Sequence, residues 1–430
     1  MRRSVAFFAP AFLLVACGAP LVAGTRGPAT PVAMRVAPAS AGQPLFRSGN
    51  QALDEDLAGP PNAIEAISKR LASEGRSAGE LRVFPVALAR QPRPYVGPWS
   101  GRGVPVAGRL LADDLAGVRS PVAWATVEAL GSGDKVVAST TTDADGNFRL
   151  DLDSKYQRIG LKLAYRMANQ YWDLQNYRWE GQSFTAGSGV DVGEISLVKG
   201  SANAEAAWIH EIGVRYLKTF AREGVSLDFW RSRIAIRWPG SGDYYSFGQV
   251  NLTKARQWDV NGHELGHAIS DQGLNMRFGG GQHMIDRCYD ETLAWSEGIA
   301  SFLGLAVSVP ANDPNASFEF MVPRRAPLRY ENVPDEKDPE HPDAPAVCRG
   351  PANEWRAGAA IWDLYDTHVD GTDRAALPFA RIWESLAKGN GKPPVRSVLD
   401  AFRLISEGLG PEARATMPGA GAQNFIDFRP

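Results

Sequence analysis

The chain has 430 residues, 44% of them hydrophobic and 22% charged, with a formal net charge of −2. That length supports two domains with cores of their own, and the balance is that of an ordinary globular protein. The near-neutral charge and the lack of a basic patch exclude nucleic acid as an expected partner.

At the N-terminus, Arg2-Arg3 precede an apolar run from Val5 to Ala16, too short to span a bilayer and read as a signal peptide (residues 1–16). Leu14-Val15-Ala16-Cys17 resembles a bacterial lipobox, whose cysteine becomes the lipidated first residue. The resemblance implies a membrane anchor on Cys17. With Gly18 next in place of aspartate, it implies an exported protein of the cell envelope, an outer-membrane lipoprotein facing the periplasm. Residues 17–100 are assigned to a tether and irregular segment, because 19 to about 50 are rich in Ala, Pro and Gly without periodicity. A short helix is expected at Asn62–Ser73.

Residues 101–200 read as short alternating strands: Val122–Leu130, Lys135–Thr142, Asn147–Leu152, Leu161–Tyr165 and Glu194–Val198. Asp143-Ala-Asp-Gly146 is a turn signal between two of them. The stretch from Thr142 to Phe148 is similar to the carboxypeptidase regulatory-like module, which implies an all-β, transthyretin-like sandwich. An Asp-rich turn suggests calcium, but twelve-residue EF-hand spacing is missing and that reading is set aside.

Residues 201–430 begin with an amphipathic helix from Ala202 to Arg222 carrying His210, read as structural. A further helix is expected from Asp259, as N-cap, to Gly273, as its stop. It contains His263-Glu264-Leu265-Gly266-His267. Residues four apart share one helix face, so both imidazoles can reach one ion, and Glu264 can hold the water that the ion activates. Gly262 and Gly266 keep bulk low beside the histidines. The chain has only six histidines, so this spacing carries weight.

Catalytic zinc usually takes three protein ligands and leaves one position open, so a third donor lies elsewhere. Glu297 is the lone charge in the apolar stretch Thr292–Leu303, where an unpaired buried carboxylate costs several kcal/mol and a cation removes that cost. The alternative is an ion pair with an arginine. Asp290, seven residues earlier, falls on the same helix face and reads as a carboxylate that orients a ligand or faces substrate, not as a rival ligand. Asp271, four after His267, would extend the row past the ion.

His263-Glu264-Leu-Gly-His267 with Trp295-Ser-Glu297-Gly-Ile-Ala300 resembles the gluzincins, zinc metallopeptidases of thermolysin-like or fungalysin-like character, over residues 201 to about 410. The resemblance implies an α+β zincin-type catalytic domain, mainly helical, with zinc on His263, His267 and Glu297 and Glu264 as general base. It implies a peptide or protein substrate held on an edge strand, for which Ile234–Trp238 followed by Tyr244–Leu252 is the candidate. Many relatives carry an aspartate four residues after the ligand glutamate to orient a histidine; Ser301 stands there, and Asp290 is the candidate to replace it. Gluzincins usually bind the tetrahedral oxyanion with a tyrosine or histidine. Tyr365, on the helix expected from Glu354 to Asp366, and His368 are candidates, against a core aromatic and a surface histidine. Gly279-Gly-Gly281 is either a mobile lid or a connector, and His283 and His341 show no metal spacing.

With Cys17 taken for lipid, Cys288 and Cys348 are left to pair in an oxidising compartment, closing a proline-rich loop worth about 4 kcal/mol. The fold expectation is therefore multi-domain, an all-β sandwich followed by a zinc peptidase domain. A competing reading is a lipid-anchored adhesin or scaffold with structural zinc, which has no use for Glu264. An aminopeptidase would need an acidic group for the substrate amine, and no motif supplies one.

Overall fold

The computed structural model describes residues 103–430 apart from 115–117, 176, 188, 336, 339 and 340. The signal peptide, Cys17, the tether and the helix expected at 62–73 lie outside the described residues. Strands concentrate between residues 104 and 251, and helices dominate beyond residue 251.

Two four-stranded sheets come first. In one, β1 (Val104–Asp113) pairs antiparallel with β2 (Arg119–Pro121) and β5 (Asn147–Leu152), and parallel with β9 (Val190–Leu197). The other has the order β4 (Val136–Thr141), β3 (Thr126–Leu130), β6 (Gly160–Arg166), β8 (Trp179–Thr185), antiparallel throughout. Alternation decides the facing: along β5, Phe148, Leu150 and Leu152 are buried while Asn147, Arg149 and Asp151 are not. The Phe148 ring meets Tyr165 of β6 edge-on at 6.2 Å, so the two sheets share one core. The turn before β5 is built by Asp143, whose Oδ1 accepts from the backbone N–H of Asp145 and Asn147. Gly146 is required there: its φ is +78°, and a Cβ would sit 2.4 Å from the Leu110 carbonyl oxygen.

A third sheet crosses the sequence boundary at residue 200. Its order is β11 (Tyr244–Ser246), β12 (Gln249–Asn251), β10 (Ile234–Arg237), β7 (Trp172–Gln175). β10 runs parallel to both neighbours and so lies inside the sheet. The edge next to the later helices is β11, antiparallel to β12. Of the candidate Ile234–Trp238 with Tyr244–Leu252, the first part therefore lies inside the sheet, while Tyr244–Ser246 within the second part forms one edge and β7 the other.

Helix α1 (Ala202–Arg222) starts at Ser201, whose hydroxyl accepts from the Ala204 N–H. It lies directly on β7, with Gly213 against the Trp172 ring. His210, fully buried, accepts from Trp172 Nε1 at 2.9 Å and donates from Nε2 to the Ala123 carbonyl at 2.7 Å, tying helix to both β regions. His210 is structural, as the sequence indicated.

Three helices form the centre: α2 (Trp258–Gly273), α3 (Glu291–Ala306) and α4 (Glu354–Tyr365). Glycines set their spacing. A Cβ on Gly266 would lie 2.6 Å from the Ala300 carbonyl oxygen, Gly262 faces Gly304, and Gly298 faces Gly358. The helices therefore touch backbone to backbone. α2 begins one residue before Asp259, after Gln257. Asp259 is not the cap; its Oδ2 accepts from the backbone N–H groups of Glu319, Phe320 and Met321 and fixes that loop to the helix. Gly273 is the last helical residue, tight against Trp383. Helices α5 (Phe379–Leu386), α6 (Val398–Glu407) and α7 (Pro411–Gln423) close the fold, with Phe379 and Trp383 of α5 stacked in the core at 6.3 Å.

Candidate metal centre

His263 and His267 sit one turn apart on α2, with ring centroids 4.6 Å apart and planes at 85°. Their Nε2 atoms are 3.1 Å apart, and Glu297 Oε2 of α3 lies 3.1 Å from each. Two helices that cross on glycine bring these atoms together, because any larger residue at 266 would push α3 and its carboxylate away. All three residues are 1% exposed or less.

The donor chemistry of this group fits a cation. His263 Nδ1 lies 3.0 Å from Ser301 Oγ. With its Nδ1–H given to Ser301, His263 turns a lone pair on Nε2 toward the carboxylate oxygen and the second imidazole. Lone pairs converging without a proton or ion between them repel; a divalent ion satisfies them. The group can thus hold a metal ion. Burial pushes the His263 imidazole down to about 4, so the ring is neutral and available as a ligand at ordinary pH. Burial works to raise Glu297, but His267, His283 and His263 outweigh it and hold this carboxyl below the usual range.

Glu264, also fully buried, follows the first ligand on α2. Asp290 has a different job from the one the sequence suggested. It is exposed, and its Oδ1 caps α3 by accepting from the Thr292 N–H at 2.9 Å. The group on His263 Nδ1 is Ser301 instead. Asp271 accepts from the Tyr245 hydroxyl at 2.6 Å and is no ligand.

The two oxyanion candidates stand elsewhere. Tyr365 packs among Phe302, Trp362 and Phe379 at 5.6 to 6.1 Å between centroids, as a core aromatic. Phe302 is five residues beyond Glu297 and so lies about 140° around α3 from the ligand. His368 sits in the loop after α4 with its backbone N–H on Asp366, and makes no hydrogen bond, ion pair or ring contact with the ligand group among the described residues.

A histidine that the sequence gave no reason to choose is present. His283 is 2% exposed, with Nε2 3.8 Å from Glu297 Oε1 and Nδ1 2.6 Å from Glu354 Oε2. Burial raises the Glu354 carboxyl and His283 opposes it. The glycine loop carrying His283 is held in place. Asn353, the cap of α4, donates from Nδ2 to the Ile285 and Arg287 carbonyls, and Cys288 is bridged to Cys348. Here lay the missed signal. A bridge from Cys288 to Cys348 brings a histidine five residues before one cysteine near a glutamate six after the other.

No protein-family model matches the chain, and no curated protein matches it. Among solved structures, a 9R-lipoxygenase from Cyanothece PCC8801 is similar in part, at 11% identity and a TM-score of 0.18. That alignment covers 40% of this chain and 30% of the lipoxygenase, and a likeness this slight carries no argument about fold or chemistry.

Proposed function

We propose that the protein is a zinc-dependent endopeptidase. The carrying observation is the convergence of His263 Nε2, His267 Nε2 and Glu297 Oε2 at 3.1 Å from one another, with a glutamate directly after the first ligand. Two imidazoles and one carboxylate suit zinc, and three protein ligands leave a position for water. When bound, zinc supplies Lewis acidity, lowering the pKa of water to around 7 and polarising a carbonyl oxygen. Glu264 takes the proton of the attacking water and hands it to the leaving amine. Ser301 keeps His263 in the tautomer that presents Nε2. His283, with Nδ1 2.6 Å from Glu354 Oε2 and Nε2 3.8 Å from Glu297 Oε1, is assigned the oxyanion role in place of Tyr365 and His368. An extended peptide adds to β11, the edge strand, which lies against α2.

Export to the cell envelope on a lipidated Cys17 belongs to the same proposal. The Cys288–Cys348 bridge supports it, since disulfides persist in oxidising compartments. No helix among the described residues is long and apolar enough to cross a membrane.

The second reading is a scaffold whose zinc only holds helices together. His283 is the observation in its favour, because a fourth protein donor closes a structural site. Metal analysis with cleavage of casein and a peptide library, on the parent and Glu264→Gln, separates the two. One zinc per chain in both proteins, with cleavage reduced by about 100-fold or more in the variant, supports the peptidase. A parent that binds zinc and cuts nothing leaves the scaffold.

A further inference from the structure

The far end of α4 and the loop after it hold a group of acids that the proposed chemistry does not use. Glu331, Asp363, Asp366 and Asp373 are each exposed by 2% or less, and Asp370 is half-buried beside them. Some of their oxygens are already engaged. Glu331 Oε1 accepts from Trp362 Nε1 at 2.8 Å, Asp363 Oδ2 from Asn424 Nδ2 at 2.7 Å, Asp370 Oδ1 from Gln423 Nε2 at 2.7 Å, and Asp373 Oδ1 from the Ala375 N–H at 2.9 Å. These bonds fix each carboxylate and leave its other oxygen to point elsewhere.

Four of the remaining oxygens, Glu331 Oε2, Asp366 Oδ1, Asp370 Oδ2 and Asp373 Oδ2, are buried with no hydrogen-bond partner. None of the five acids forms an ion pair among the described residues. A buried polar atom without a partner costs about 1–3 kcal/mol, more if charged, so four in one place need an explanation. An arginine or lysine would supply it elsewhere in this fold, as Arg325 does for Asp286. Here Arg374 acts on Asp373 through its charge, but its guanidinium is given to the Asp370, Gly371 and Asp373 carbonyls and makes no ion pair with these acids.

We infer that Glu331, Asp366, Asp370 and Asp373, backed by Asp363, form a calcium site distinct from the zinc centre. The donor set is oxygen alone, which selects a hard cation over zinc. Four or more carboxylates in an irregular loop suit calcium, which takes six to eight oxygens in flexible geometry; magnesium keeps several waters and uses one or two carboxylates. The Asp370-Gly-Thr-Asp373 turn, with Gly371 at a φ of +37°, is tied to α7 by the Thr372 N–H on Gln423 Oε1 and the Thr372 hydroxyl on the Gly419 carbonyl, so side-chain rotation has to bring the oxygens together. Some closing is needed, because no three of these acids place oxygens within 4.8 Å of one another. Burial and mutual repulsion also push Asp366 up to about 9 and Glu331 up to about 7, the burden that a bound cation lifts. The site would pin the end of α4 to α7 and so steady the helix whose start carries Glu354.

The test uses the full chain, stripped of metal and resupplied with one equivalent of zinc, titrated with calcium chloride by calorimetry beside Asp366→Asn and Asp370→Asn. The half-buried Asp370 tolerates substitution even where Asp366→Asn disturbs folding. One calcium per chain in the parent, about tenfold or more weaker binding in the variants and a weaker response to magnesium are expected. Calcium should also raise the unfolding midpoint of the parent by about 3 °C or more, and His263→Ala should keep that rise, so failure of the zinc reading leaves this one standing. The inference is overturned if the parent takes up no calcium at about 10 mM, or if both variants bind like the parent. It is equally overturned if the asparagine variants are more stable with or without calcium, which means that the acids share protons instead.

Discussion

Ser301 Oγ lies 3.0 Å from His263 Nδ1, at the position where the gluzincin pattern led us to look for an aspartate. A hydroxyl fixes the ring as a carboxylate would, but adds no negative charge behind it. Ser301→Ala should therefore weaken zinc binding by about 10- to 100-fold, the usual range for loss of such a partner. Competition against a chromophoric chelator measures this directly, and an unchanged affinity in Ser301→Ala removes Ser301 from the role.

His283 and Glu354 make a second prediction. If His283 supports developing charge on the substrate, His283→Gln lowers kcat/KM by about 100-fold while zinc content stays at one per chain. Glu354→Gln acts through His283 and should shift the pH profile of kcat/KM as well as its height. Loss of zinc in His283→Gln would instead mark this histidine as a ligand and favour the scaffold.

Gly266 sets how closely α2 and α3 approach. Alanine there gains about 1 kcal/mol of helix propensity but puts its Cβ 2.6 Å from the Ala300 carbonyl oxygen. Backbone cannot swing aside as a side chain can, so the clash wins. Gly266→Ala should lower stability by about 1–3 kcal/mol in denaturant unfolding and weaken zinc uptake, because Glu297 moves with α3.

Much of the site could be read before the fold was known. The spacing of His263 and His267 is a helical period, and Glu297 stood out as one charge in an apolar helix. The bounds of α1 and β5 came from local pattern alone. His283 and Glu354 were hidden because their contact spans 71 residues and rests on a disulfide and on Asn353, neither of which has periodicity. Asp259 looked like a cap by position, yet it serves a loop 60 residues away. β7 was missed for a related reason: four residues that begin with Trp172 do not reveal that they pair with β10, some 60 residues on.

His210 gives a pH dependence remote from the candidate metal centre. Burial pushes its imidazole down to about 4 against about 6.5 in the unfolded chain, so the unfolded state binds the extra proton first. The stability owed to neutral His210 is whole above pH 6.5 and declines as pH falls toward 4, by up to about 3 kcal/mol. His210→Asn should flatten the slope of unfolding free energy between those limits. An unchanged slope assigns the acid sensitivity to other groups.

Strand β7 has a practical corollary for anyone dividing the polypeptide. A fragment starting at residue 201 would retain β10 but lose the strand hydrogen-bonded along its flank, together with the tryptophan under α1. The bared row of amides would invite pairing with other copies, and such a truncate should be recovered as aggregate rather than as a folded monomer.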